Sequence, residues 1–186
     1  MALVKGAATR SAIVDEALRQ TARDGLAGLS FGTLADALQL SKSGLFAHFK
    51  AKEALQLAVL EEAGARFRKG VLAPALARPA GRDRLVALFT RYVDWMGDGC
   101  VYSTIAQEIG KLPEPVERAF RDGQRQWRQT ISEVAAACVG PQWSAEVTLH
   151  FVGLALAYQQ AVKVFAETGA RRRIIRAFEQ TLRTMT

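Results

Sequence analysis

Residues 30–53 read SFGTLADALQLSKSGLFAHFKAKE. Two serines divide the stretch. Ser30 stands before FGTLADAL, Ser41 stands before KSGLFAH, and a serine at such a boundary accepts the open N–H groups of a helix's first turn. Two short helices follow, at about 31–38 and 42–49, joined by a tight turn through Gln39 and Leu40. Close crossing of two helices calls for small and apolar residues, and Leu34, Ala35, Leu38, Leu40 and Leu45 supply them. This is the pattern of a helix-turn-helix, whose second helix presents its N-terminal residues to the DNA major groove.

The candidate DNA contacts follow from that geometry. Lys42 and Ser43 can hydrogen-bond base edges or phosphates, and Gly44 lets the backbone approach closely. Phe46, His48 and Phe49 end the reader helix. Phe49 reads as core, whereas His48, next to Lys50, is either a phosphate contact or a surface histidine. Lys52 opens a fourth helix, where a cation beside free backbone N–H groups suits a phosphate. Thr33, in the first turn of the helix after Ser30, can serve in the same way.

Outward from this stretch the apolar residues recur at helical spacing and no segment reads as a strand. A first helix is expected at about 8–24, stopped near Gly25, and a fourth from Ala51 to about 73, where Pro74 interrupts or kinks it. Residues 75–81 read as a loop. Leu85, Leu88, Phe89, Tyr92 and Met96 mark a helix ending at residues 97–99, and a short one follows at about 103–110. Three more carry the stripes Val116–Phe120–Trp127–Ile131–Val134–Cys138, Val147–Phe151–Leu154–Tyr158–Val162–Phe165 and Ile174–Phe178–Leu182–Met185. The expected fold is all-α with about nine helices, as a helix-turn-helix head over 1–52 and a helical body over 53–186.

Charge agrees with an acidic partner. The chain has 186 residues and a formal charge of +7, and residues 1–52 hold seven Lys or Arg against four acids. Two cysteines, Cys100 and Cys138, make no disulfide framework. No apolar run reaches the roughly 18 residues of a membrane span, and the opening MALVKGAATR lacks the apolar core of a signal peptide. A reduced, cytoplasmic protein without membrane attachment is expected.

The residues of the head resemble the TetR family of transcriptional repressors. The resemblance runs from Ile13 and Ala17 through the Gly25 turn, Thr33-Leu34-Ala35, Leu40-Ser41-Lys42-Ser43-Gly44-Leu45-Phe46, His48-Phe49 and Lys52-Glu53-Ala54-Leu55. It covers about the first 60 residues. In the body, Gly99-Cys100, Glu108 and Pro113 to Val116 are similar to the variable domain of one TetR subgroup. The resemblance implies a homodimer, paired through its last two helices, that binds a palindromic operator and releases it when a small molecule occupies the body. Two positions depart from the family pattern. Gln39 stands where glycine is usual in the turn, and Phe46 replaces a frequent tyrosine, removing a phosphate-contacting hydroxyl.

Pocket candidates in the body are Phe67, Phe89, Tyr92, Trp95, Met96, Tyr102, Glu108, Trp127, Phe151 and Tyr158. Each aromatic among them also reads as plain core. Glu108 can balance a cationic ligand or bond a neighbouring helix, and Cys100 can be a redox-sensitive thiol or a small filler. Arg171, Arg172 and Arg173 form either a partner contact or a solvated face. An enzyme is not expected. The two histidines are far apart, the one Glu146/His150 pair makes no metal site, and no phosphate-cradling glycine loop or nucleophile elbow is present. No cofactor and no metal are expected. The rival reading is a helical small-molecule-binding or interaction protein with a vestigial DNA-binding head.

Overall fold

The computed structural model describes residues 2–97 and 100–185, and among them every regular element is helical. In order these are α1 (Ala2–Asp24), α2 (Phe31–Leu38), α3 (Lys42–His48), α4 (Lys52–Phe67), α5 (Ala73–Leu76), α6 (Arg82–Gly97), α7 (Val101–Ala106), α8 (Glu114–Val139), α9 (Ser144–Lys163) and α10 (Ala170–Thr184). A π-helical segment, Arg68–Leu72, joins α4 to α5 without a break. With that stretch counted as one run, and the 3₁₀ turn Pro141–Trp143 counted with the α9 it leads into, the described residues form nine helices.

Of the interruption or kink expected at Pro74, the interruption does not occur: the helical run passes through Pro74 to Leu76. Proline lacks an N–H and crowds the carbonyl four residues back. The chain answers by widening, with the Ala73 N–H donating to the Arg68 carbonyl five residues away, and the helix continues to Leu76. The loop expected from residue 75 is correspondingly shorter. Gly99, expected in the turn before Cys100, lies outside the described residues.

Packing divides the chain into two compact units, residues 1–66 with 99–123, and residues 67–98 with 124–186. The division differs from the boundary after residue 52 drawn from the sequence, because α7 and the first turns of α8 pack with the head. In the first unit Ile13, Val14, Ala17, Leu26, Leu29, Leu34, Leu45, Phe49, Leu55 and Val59 form one buried cluster that extends to Val101, Ile105, Val116 and Phe120. In the second, Phe89, Phe151 and Phe178 are fully buried, with the Phe89 and Phe178 rings stacked at 4.1 Å. The α9 stripe ends early. Helix α9 stops at Lys163, so Phe165 lies in the following turn and is 62% exposed, although the sequence placed it on the buried face.

Candidate nucleic-acid interface

The turn between α2 and α3 is closed by backbone geometry. Gln39 adopts φ 54°, ψ 39°, the left-handed region, and its N–H donates to Asp36 while the Leu40 N–H donates to Ala35. These two bonds satisfy the last carbonyls of α2 in the Schellman arrangement. Leu40 then packs against the core cluster. A glutamine held in the left-handed region, where glycine is usual, carries strain on the order of 1 kcal/mol.

Both helix starts are capped by the serines that marked them. The Ser30 hydroxyl accepts the Thr33 N–H at 3.1 Å, and the Ser41 hydroxyl accepts the Gly44 N–H at 3.0 Å. Thr33 is further tied by its own hydroxyl, within bonding distance of Gln20 Oε1 at 3.2 Å and the Ser30 carbonyl at 3.1 Å.

On α3, Leu45 and the C-cap Phe49 turn inward, while Lys42, Ser43, Phe46 and Ala47 are exposed. Steps of three and four residues put those four on one outward face. Gly44 and His48 are half-buried beside it. Phe46 is 47% exposed and rests on Phe31, ring centroids 4.5 Å apart. From Ser41 to Lys52 the chain holds three lysines and one histidine and no acid, so the exposed end of this helix pair is basic. Arg10 of α1 lies over the Phe49 ring at 4.8 Å, a cation–π contact at the end of the reader helix. Arg10 and Ala47 had no distinguishing mark in the sequence.

Lys52 sits at the first residue of α4 and is exposed, and its Nζ donates to the Ala27 carbonyl at 2.6 Å. One of its three N–H bonds is thus used within the head. The same turn is gripped from another side. Glu108 accepts the Leu26 N–H at 2.7 Å and the Ala27 N–H at 3.0 Å, and Gln56 donates to the Leu26 carbonyl at 2.9 Å. Gly25, at φ +81°, makes room for the carboxylate, since a β-carbon there would lie 2.2 Å from Glu108 Oε1. Glu108 therefore anchors the α1–α2 turn in the first unit instead of lining a pocket in the second.

Two family descriptions match the sequence. Residues 13–59 match "Bacterial regulatory proteins, tetR family", and residues 81–178 match "Tetracyclin repressor-like, C-terminal domain". The chain belongs to the TetR family. It is a DNA-binding transcriptional regulator, of a family that is not enzymatic. Similar solved structures include a TetR-family regulator from Streptomyces coelicolor, with TM-score 0.82, 23% identity and 95% of each chain covered. A TetR regulator from Chloroflexus aurantiacus gives TM-score 0.80 at 19% identity, covering 96% of each chain. AibR, solved with isovaleryl coenzyme A and operator DNA, gives TM-score 0.73 at 19% identity, covering 92% of this chain and 96% of its own. No curated protein matches the chain in sequence.

In the second unit of this TetR-family chain five of the pocket candidates meet as one aromatic cluster. Phe67 packs edge-on against Trp127 at 5.0 Å, Trp95 at 5.7 Å and Tyr92 at 6.1 Å, and Trp127 lies 5.7 Å from Phe151. Phe89 joins through Phe151, at 5.0 Å. Met96 is buried, and the Tyr158 hydroxyl lies 2.9 Å from where a β-carbon on Gly97 would stand. Tyr102 belongs elsewhere, packing on Phe120 in the first unit at 6.3 Å. Cys100 is buried at the start of α7, and burial pushes the Cys138 thiol up, with Arg82 opposing it. Among the described residues no group of three or more His, Cys, Asp or Glu is placed to hold a metal ion, and no helix is long and apolar enough to cross a membrane.

Proposed function

We propose that the protein is a homodimeric repressor that binds a palindromic operator and leaves it when a small molecule binds the body. The observation that carries DNA reading is the exposed face of α3, where Lys42, Ser43 and Phe46 point outward from a helix held by Leu45, Phe49 and the Ser41 cap. Lys42 and Ser43 address base edges. Gly44 permits close approach, and Thr33, His48 and Lys52 flank the helix as phosphate contacts, Lys52 through the N–H bonds not given to Ala27.

The dimer reading rests on α9. Leu149 is 69% and Leu156 54% exposed, seven residues and two turns apart, and at Gly153 between them an added β-carbon would meet nothing within 4 Å. An apolar ridge with a small residue at its centre packs on a copy of itself about a two-fold axis. With α10 beside it, a second copy would complete a four-helix interface. Two protomers then present two α3 helices, and the operator mirrors their symmetry.

The effector reading rests on the cluster of Phe67, Tyr92, Trp95, Trp127 and Phe151, mostly apolar with a phenol and two indole N–H groups, a composition suited to a small organic ligand. That AibR was solved with both an acyl coenzyme A and operator DNA supports a regulator of this kind. Release follows if the ligand favours a dimer whose reader helices are off operator spacing. A ligand binding both states equally would release nothing.

Selection of fragments from the source genome by the purified full chain at near-physiological salt tests the reading. A recovered palindrome with half-sites a whole number of helical turns apart is the expected result. Salt-sensitive binding with no shared sequence would reduce α3 to a basic surface and overturn it.

A further inference from the structure

The outward face of α3 is divided. Its N-terminal pair, Lys42 and Ser43, carries hydrogen-bonding groups, while the pair one turn later, Phe46 and Ala47, carries none. Phe46 is 47% exposed, and among the described residues it is the one exposed large hydrophobic side chain of the first unit. Leu76, Trp143, Leu149, Leu156, Val164 and Phe165 all belong to the second. The ring is also held in place. Phe31 lies 4.5 Å from it at an interplanar angle of 48°, so Phe46 projects from α3 with its position fixed by a neighbour on α2.

An apolar ring kept in water on a basic surface is not explained by the core, which Leu45 and Phe49 serve. It has no donor or acceptor for a phosphate or for the polar edges of the bases. The major groove offers one apolar group, the C5-methyl of thymine, and phenylalanine and alanine are among the side chains that pack on it. We propose that Phe46 and Ala47 read thymine methyl groups in each operator half-site, beside the positions read by Lys42 and Ser43. The proposal rests on the reading of α3 as the major-groove helix and adds the base chemistry that half of its face selects.

The test is a methyl-deletion scan. In the operator recovered with the full chain, each thymine of a half-site is replaced in turn by deoxyuridine, which removes the methyl and leaves every hydrogen-bonding group. Wild-type protein is expected to lose about fourfold in affinity for each methyl it covers, at one or two positions per half-site. Phe46→Ala is expected to bind the thymine operator more weakly and to be indifferent to deoxyuridine at one of those positions. Because the scan on the wild-type chain needs no variant, a folding defect in Phe46→Ala leaves the first result standing. Uniform tolerance of deoxyuridine by wild type, or an undiminished penalty in Phe46→Ala, would overturn the proposal while the operator itself still stands. Failure to recover any operator would instead overturn the reading of α3 beneath it.

Discussion

Replacing Gly25 by alanine tests the anchoring of the head by Glu108. The substitution meets two obstacles. Its φ of +81° is left-handed, costing an alanine about 1–2 kcal/mol. Its β-carbon would stand 2.2 Å from Glu108 Oε1 and 2.5 Å from Cδ, so the carboxylate must leave. Leaving strands the N–H of Leu26, a residue with no exposure, at about 1–3 kcal/mol, while the exposed Ala27 N–H turns to water. Gly25→Ala should therefore cost about 2–5 kcal/mol, and Glu108→Ala alone about 1–3 kcal/mol. In the double variant the collision is gone and the unpaired N–H is counted once. Its cost should equal that of Gly25→Ala alone, with a coupling of about 1–3 kcal/mol. Urea unfolding of the four proteins, with slopes compared to confirm a common transition, gives the cycle. Costs that add to within about 0.5 kcal/mol would refute the contact.

Three further outcomes follow from the same geometry. Gln39→Gly relieves the left-handed turn residue and returns part of the gain as chain entropy, so stability should rise by up to about 1 kcal/mol, read as a higher urea midpoint with the slope unchanged; a loss would contradict the strain. Leu149→Glu places a charge on the exposed ridge of α9 and, doubled by symmetry, should weaken dimerisation by about a hundredfold or more in sedimentation. A dimer indifferent to it must use another face. The raised Cys138 thiol holds less thiolate at neutral pH than a free cysteine, so its alkylation by iodoacetamide should be slow at pH 7 and accelerate as pH rises through and beyond the usual thiol range. Rapid neutral alkylation, read by mass spectrometry, would contradict the upward shift of this half-buried thiol.

The head was legible because its signals are local. Ser30 and Ser41 cap the helices they precede, Gly25 turns at positive φ, and Gln39 takes the conformation its position demands. Helix type and number in the body were legible from periodicity for the same reason. What sequence spacing does not encode is which distant residue meets which. Glu108 reaches Leu26 across 82 positions, and nothing near either marks the pairing. Tyr102 and Trp127 look alike as aromatics on helices, yet one packs in the first unit and the other in the second. Lys52 keeps its place at the start of α4, but its bond to Ala27 depends on a loop 25 residues away. At Pro74 the interruption that was one of the two expected outcomes gave way to a π-helical segment that accommodates the ring.

The central claim is that the exposed face of α3 selects DNA sequence. The direct measurement is the ratio of operator to non-operator affinity, at fixed salt, for wild type and for Lys42→Ala and Ser43→Ala. Substituting a residue that reads a base edge should lower operator affinity by about 1–3 kcal/mol and relax selectivity at one base position, with far less change on non-operator DNA. An unchanged ratio in both variants, with the fold intact, would contradict the claim.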